Sequence, residues 1–163
     1  MGVIYMTEIT IRNFSVDDFD GINILMNQVH RLHMDSRPDF YRKTDEPISK
    51  KDFLSIVNDN NTISIVAEIN TIIVGLCVIS IKPISTNISL VPRRVAYMED
   101  LCVSQDYRKQ GIGKRLFIEA KKRTLEFNVD SLELMVWEFN KNAVNFYENQ
   151  GMKTRSRIME IKL

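Results

Sequence analysis

The stretch from Val95 to Leu125 constrains the fold more than any other part of the chain. Ala96-Tyr97-Met98-Glu99-Asp100-Leu101-Cys102-Val103 reads as a strand, Ser104 to Gln110 as a polar loop, and Gly111-Ile112-Gly113 as the opening of a helix. That helix sets Ile112, Leu116, Phe117 and Ala120 on one apolar stripe. A helix start presents N–H groups without internal partners and a dipole that favours negative charge. Glycines let a ligand come close to that backbone. Arg108, Lys109, Lys114 and Arg115 surround the turn. The sum is a site for a multiply charged anion, most naturally a pyrophosphate.

Two familiar nucleotide loops do not fit. A Walker loop, G-x-x-x-x-G-K-[ST], would match at Gly113-Lys114, but Arg108 stands in place of its first glycine and Arg115 in place of its Ser or Thr. A Rossmann fingerprint needs a third glycine where the chain has Leu116. What Arg108-Lys109-Gln110-Gly111-Ile112-Gly113 does fit is R/Q-x-x-G-x-G/A. An ordinary strand–helix turn with solvated basic residues is the plainer alternative for six residues taken alone.

A length of 163 residues suits one domain, here 1–163, with one good core. A formal net charge of +1 argues against a broad nucleic-acid surface. Cys77 and Cys102 both fall in strands and read as buried free thiols. No disulfide framework or zinc spacing is present, and a reducing, cytoplasmic setting is expected. Met1 to Thr10 has no signal-peptide pattern. The most apolar run, Thr71 to Ile81, is far short of the ~20 residues of a membrane helix.

Along the chain, Glu8 to Arg12 alternates as a first strand. Ser15 to Asp18 forms a capping box before a helix that ends near Asp35 and carries Val16, Phe19, Ile22, Leu25, Val29 and Leu32 on one stripe. His30 and His33 share a side of it but lack a third metal ligand nearby. Arg37-Pro38-Asp39-Phe40-Tyr41 breaks the helix and reads as an acceptor-pocket wall or as a packed loop. Ser49 caps a second helix through about Val57. Thr62 to Glu68 is a strand, Asn70-Thr71 a tight hairpin turn, and Ile72 to Ile81 a strand buried on both faces. Further strands are expected over Ser131–Trp137 and Thr154–Leu163, with a short helix between them that Gly151 terminates. This order predicts a mixed α/β chain: a twisted sheet of about six to seven strands with helices on both faces.

The second constellation is Asn140-Lys141-Asn142-Ala143-Val144-Asn145-Phe146-Tyr147-Glu148-Asn149-Gln150-Gly151, the pattern N-x-x-A-x-x-F-Y-x-x-x-G. Asn140 and Tyr147, seven apart, share a helix face. In order and spacing, this segment and the glycine turn together resemble the GCN5-related N-acetyltransferases (GNAT), which bind acetyl-coenzyme A. The resemblance covers about Val66 to Leu163, and the first 60 residues match only in element order. It implies an acetyl-CoA N-acyltransferase fold in which Val95–Val103 and Leu132–Trp137 splay apart. The pantetheine arm would lie in the opening against the backbone of Leu101, Cys102 and Val103, as an added strand does. Arg108, Lys109, Gln110, Gly111, Ile112, Gly113 and Lys114 would hold the pyrophosphate, and Asn140 would reach the arm from the other side. For Asn140 an N-cap role remains the alternative.

Acyl transfer to an amine needs a base for the ammonium, a donor for the oxyanion and a proton for the leaving thiolate. Tyr147, a phenol of pKa ~10, suits the thiolate. Glu99 at the expected splay suits the base, directly or through water, and Tyr97-Met98-Glu99-Asp100 resembles the diamine (spermidine/spermine) acetyltransferases. Strand alternation puts Glu99 and Asp100 on opposite faces, so only one can face the cleft, and a bulge would change which. Cys102 as an acyl-carrying nucleophile has no histidine near it in sequence. The expected function is acetyl-CoA-dependent acetylation of a primary amine, small or peptidyl, with no metal. Asp35, Asp39, Asp45 and Glu46 offer an acidic acceptor pocket. The rivals are a catalytically silent CoA-binding sensor and a P-loop-like nucleotide binder. The last strand leaves a homodimer open.

Overall fold

A computed structural model describes residues 8–163; Met1 to Thr7, most of the stretch read above for a leader, lie outside the described residues. The elements run β1 (Thr10–Asn13), α1 (Phe19–Ser36), α2 (Lys50–Asn58), β2 (Thr62–Ile69), β3 (Ile72–Lys82), β4 (Val95–Val103), α3 (Ile112–Thr124), β5 (Ser131–Leu134) and α4 (Lys141–Asn149). The sheet follows chain order, β1-β2-β3-β4-β5, antiparallel up to β4 and parallel between β4 and β5. No described helix is long and apolar enough to cross a membrane.

Local signals place most of these elements. Ser15 and Asp18 close a reciprocal capping box on a 3-10 turn, Val16–Asp18, that leads into α1. The Ser49 hydroxyl accepts the Asp52 N–H at the start of α2. Asn70 and Thr71 both take positive φ, 48° and 66°, as a two-residue turn matched to strand twist requires. Gly151, at φ 87°, ends α4: its N–H reaches the Glu148 carbonyl, and the Met152 N–H reaches Tyr147.

Two apolar layers sandwich the sheet. On one face Ile65, Cys77, Ile79, Ala96 and Met98 pack against Ile112, Leu116, Phe117 and Ala120 of α3. On the other, Val66, Leu76, Val78 and Cys102 pack against Ile22 and Leu25 of α1 and Phe53 of α2. Val16 and Leu32, at the ends of the expected α1 stripe, are exposed.

Three expectations need correction. Among the described residues the sheet has five strands, not six or seven. β5 stops at Leu134 rather than Trp137, because β4 pairs with it only from Val95 to Met98 and then offers no partner. The segment Thr154–Leu163 is not a strand. Only Met159 to Leu163 alternates in polarity, and no ladder engages the backbone. It is held by ion pairs instead, Glu160 to Arg37 at 2.8 Å and Lys162 to Asp39 at 3.4 Å, and Ile158, Met159 and Ile161 stay exposed.

Candidate active site

The gap between β4 and β5 is the centre of the site. The Ser104 N–H donates to the Val74 carbonyl at 2.8 Å. Antiparallel ladders alternate, so Cys102 bonds across to Leu76, while the N–H and C=O groups of Leu101 and Val103 point away from β3. On that side β5 has already ended, so these groups face an opening. The Val103 carbonyl is met there by Arg108 Nε at 3.2 Å and Gln28 Nε2 at 3.1 Å.

The glycine turn stands beside this opening. Gly111 lies at φ 79° and Lys109 at φ 61°, both in the left-handed region. The first backbone bond of the α3 turn is Arg115 N–H to Gly111 C=O at 3.0 Å. Among the described residues, the N–H groups of Gln110, Gly111, Ile112, Gly113 and Lys114 find no acceptor. They form the cradle expected of an anion site, with exposed Arg108, Lys109 and Lys114 around it.

Helix α4 closes the other side. A Cβ added at Gly113 would sit 3.5 Å from Phe146 and 3.6 Å from Val103, so α4 packs on the first turn of α3 and the end of β4. Tyr147 is half-buried, 5.3 Å from Phe146 and 6.4 Å from Phe117 between ring centres. Its hydroxyl has no hydrogen-bond partner among the described residues. Burial, with Cys77, Asp100 and Cys102 nearby, pushes the phenol up, so it holds its proton at neutral pH. Asn140 caps α4, its Oδ1 accepting the Ala143 N–H at 3.2 Å.

Glu99 and Asp100 do not sit on opposite faces as strand alternation predicts. β3 pairs Val78 with Asp100 and Ile79 with Met98, which leaves Glu99 as the extra residue of a bulge. Glu99 turns to Ser80 and Lys82, on the α1–α2 side of the sheet. Asp100 stands opposite Val78 on that same side. Burial, with Glu99 beside it, pushes the Asp100 carboxyl up to about 6. Tyr147 thus approaches the gap from the α3–α4 face, and the two carboxylates from the other.

Cys102 is buried, and its thiol donates to the Leu25 carbonyl at 3.6 Å. Burial pushes it up to about 12 against the opposing pull of Arg108, leaving little thiolate at pH 7. Of the four acids singled out, Asp39 and Glu46 line a hollow under the α1–α2 loop with His30, Phe40 and Tyr41; Asp35 and Asp45 do not. Tyr41 Oη accepts from Trp137 Nε1 at 2.8 Å, tying this loop to the chain that leaves β5. Gln28 is a site residue that sequence reasoning did not find: nothing in a helical Gln announces a contact 75 residues away.

The model of the family described as "Acetyltransferase (GNAT) family" matches residues 26–152. An L-ornithine N5-acetyltransferase of Arabidopsis thaliana is 35% identical over 63 residues, which are 39% of this chain and 28% of that protein. The chain spans less than half the length of the curated relatives it first matches. A mutant of the BH1408 protein from Bacillus halodurans superposes with a TM-score of 0.91 at 28% identity, covering 94% of this chain and 99% of that one. The aminoglycoside N-acetyltransferase AAC(6')-Iy in complex with CoA shares the fold, with a TM-score of 0.78 at 16% identity over 99% of this chain and 98% of that one. The strand opening, the N–H cradle and the match over 26–152 agree: this chain belongs to the GNAT acetyltransferase family.

Proposed function

We propose that the chain is an acetyl-CoA-dependent N-acetyltransferase that passes the acetyl group directly to a primary amine. One observation carries this reading. β4 loses β5 as a neighbour after Met98, and past that point the backbone of Leu101 and the Val103 N–H face the opening beside a loop whose N–H groups find no acceptor among the described residues. That arrangement suits a ligand with an extended amide arm and a pyrophosphate. Acetyl-CoA would supply the thioester; the chain supplies placement and protons.

The amine nitrogen attacks the thioester carbonyl carbon, the C–S bond breaks, and the sulfur leaves with a proton. The Leu101 N–H donates to the oxygen that gains charge. The Tyr147 hydroxyl, without a hydrogen-bond partner among the described residues, gives its proton to the leaving sulfur, and the proton that the nitrogen sheds as the amide forms restores the phenol through water. Glu99, through water, takes the proton from the ammonium on the α1–α2 face. A second reading gives that task to Asp100: Glu99 is engaged by Lys82 and Ser80, whereas Asp100 has no side-chain bond among the described residues and titrates near 6. Glu46, which lines the hollow without an ion-pair partner among the described residues while Arg37 and Lys162 engage Asp39, and the ornithine acetyltransferase among the relatives favour a small cationic amine.

The test is thiol release from acetyl-CoA against a panel of diamines, amino acids and N-terminal peptides. Turnover with at least one amine is expected. Tyr147→Phe should cut kcat by roughly 10²-fold, the scale of one general acid, with coenzyme A affinity nearly intact. Tight coenzyme A binding without turnover on any amine would favour a silent sensor.

A further inference from the structure

The Gln28 side chain makes three contacts to one short stretch of backbone. Its Nε2 donates to the Val103 carbonyl at 3.1 Å and lies 3.6 Å from Cys102 Sγ; its Oε1 accepts the Gln105 N–H at 2.9 Å. The partners lie 74 to 77 residues away in sequence. A single amide therefore joins α1 to the last two residues of β4 and to the loop that leads into the glycine turn. Its two ends do different work. The donor end holds a carbonyl that β5 does not reach, and the acceptor end fixes the Gln105 N–H near the start of the loop. Only a side chain with one donor group and one acceptor group at that length does both.

From this we infer that Gln28 is a positioning residue for the cosubstrate: it sets the peptide planes at the end of β4 so that the Val103 N–H faces the gap and the N–H cradle begins in register. The inference rests on the acetyl-CoA reading above. Arg108 shares the Val103 carbonyl from the loop side, so the plane is held from both the α1 face and the glycine turn. The same helix carries His30 and His33, whose rings lie 6.0 and 5.1 Å from Tyr41 in the loop that lines the hollow. Gln28 thus links the helix bordering the proposed acceptor side to the strand that takes the cosubstrate.

Two variants separate positioning from mere stability. Gln28→Glu keeps the length and the acceptor but sets a carboxylate against the Val103 carbonyl; Gln28→Met keeps the shape and removes both bonds. Each is measured for coenzyme A affinity by calorimetry, well below its melting temperature, and for KM and kcat with the best amine. The Michaelis constant for acetyl-CoA and the coenzyme A Kd should rise roughly tenfold, the equivalent of one buried polar group left unpaired. The fall in kcat should be much smaller, and KM for the amine should hold. Unchanged Kd and KM in the folded variants, even with a lower melting temperature, would overturn the inference and leave Gln28 a structural contact. If the wild-type chain bound no coenzyme A, the acetyl-CoA reading would fall first and take this inference with it.

Discussion

Asp100 carries the least well-solvated charge beside the gap. Its carboxyl titrates near 6 rather than at the ordinary 3.8, because burial and the neighbouring Glu99 disfavour the anion. A carboxyl raised in this way binds its proton more tightly in the folded chain than in the unfolded one. Its contribution to stability is therefore greatest below about 4 and is lost as pH rises through about 6. Asp100→Asn removes that loss. It should raise stability by roughly 1–2 kcal/mol at pH 7.5, below the ~3 kcal/mol ceiling that the shift implies, and change it little at pH 4. Denaturant melts at the two pH values check this. If Asp100 is also the base, the same variant loses most of kcat/KM; if Glu99 is, turnover survives the substitution. Asp18 runs the other way. Burial pushes it up, but the Arg12 guanidinium, in contact with both carboxylate oxygens, and the Ser15 N–H outweigh that and hold it low. Its stabilisation is present above the ordinary carboxylate range and is lost as pH falls below it. The fold thus anchors β1 to the start of α1 with a satisfied carboxylate, and keeps an unsatisfied one at the gap, where a proton acceptor is of use.

At the scale of elements, the seating of α3 on the sheet depends on Gly75 in β3. A Cβ there would come 2.9 Å from Leu116 Cδ1 and 3.0 Å from the Cys102 carbonyl. Leu116 can rotate, but the carbonyl belongs to the β3–β4 ladder and cannot move without disturbing it. Gly75→Ala should cost about 1–3 kcal/mol and push the first turn of α3 off the end of β4. A paired melt and coenzyme A titration would show both losses; a lower stability with unchanged affinity would mean the turn keeps its place. Elements fixed by nearby residues were legible in the sequence: the Ser15 box, the Ser49 cap, the Asn70-Thr71 turn and the Gly151 terminus each depend on a few neighbours. The glycine turn and its helix were legible for the same reason. What escaped depends on pairing between distant segments. Leu134-Met135-Val136-Trp137 stays apolar past the end of β5, so only the departure of β4 reveals that β5 ends at Leu134. The bulge at Glu99 follows from the register of β3, which no local pattern encodes. Thr154–Leu163 ends in the alternating run Met159–Leu163 and still finds no ladder. Gln28 looks like any polar residue on an amphipathic helix.

At the scale of the whole molecule, the cosubstrate reading predicts a stability linkage. A ligand seated along β4, over the α3 turn and against α4 would touch elements that come together only in the folded chain. It binds the native state and not the unfolded one, so it stabilises by RT ln(1 + [L]/Kd), about 2.7 kcal/mol at a hundred times Kd. For a chain of 163 residues that corresponds to a melting-temperature rise of roughly 5–10 °C. The comparison among ligands is the informative part. ATP can place phosphates on the N–H groups of Gln110 to Lys114 but has no amide arm for Leu101 and Val103. NAD has a pyrophosphate, and again no arm. Acetyl-CoA and coenzyme A should therefore produce the full rise, with ATP and NAD giving little at equal concentration. Acetyl-CoA and coenzyme A should also differ little from each other, because the acetyl group adds few contacts to those of the arm and the pyrophosphate. An equal rise with ATP would mean that the anion cradle acts without the strand opening. The cosubstrate assignment would then fail although the fold stands.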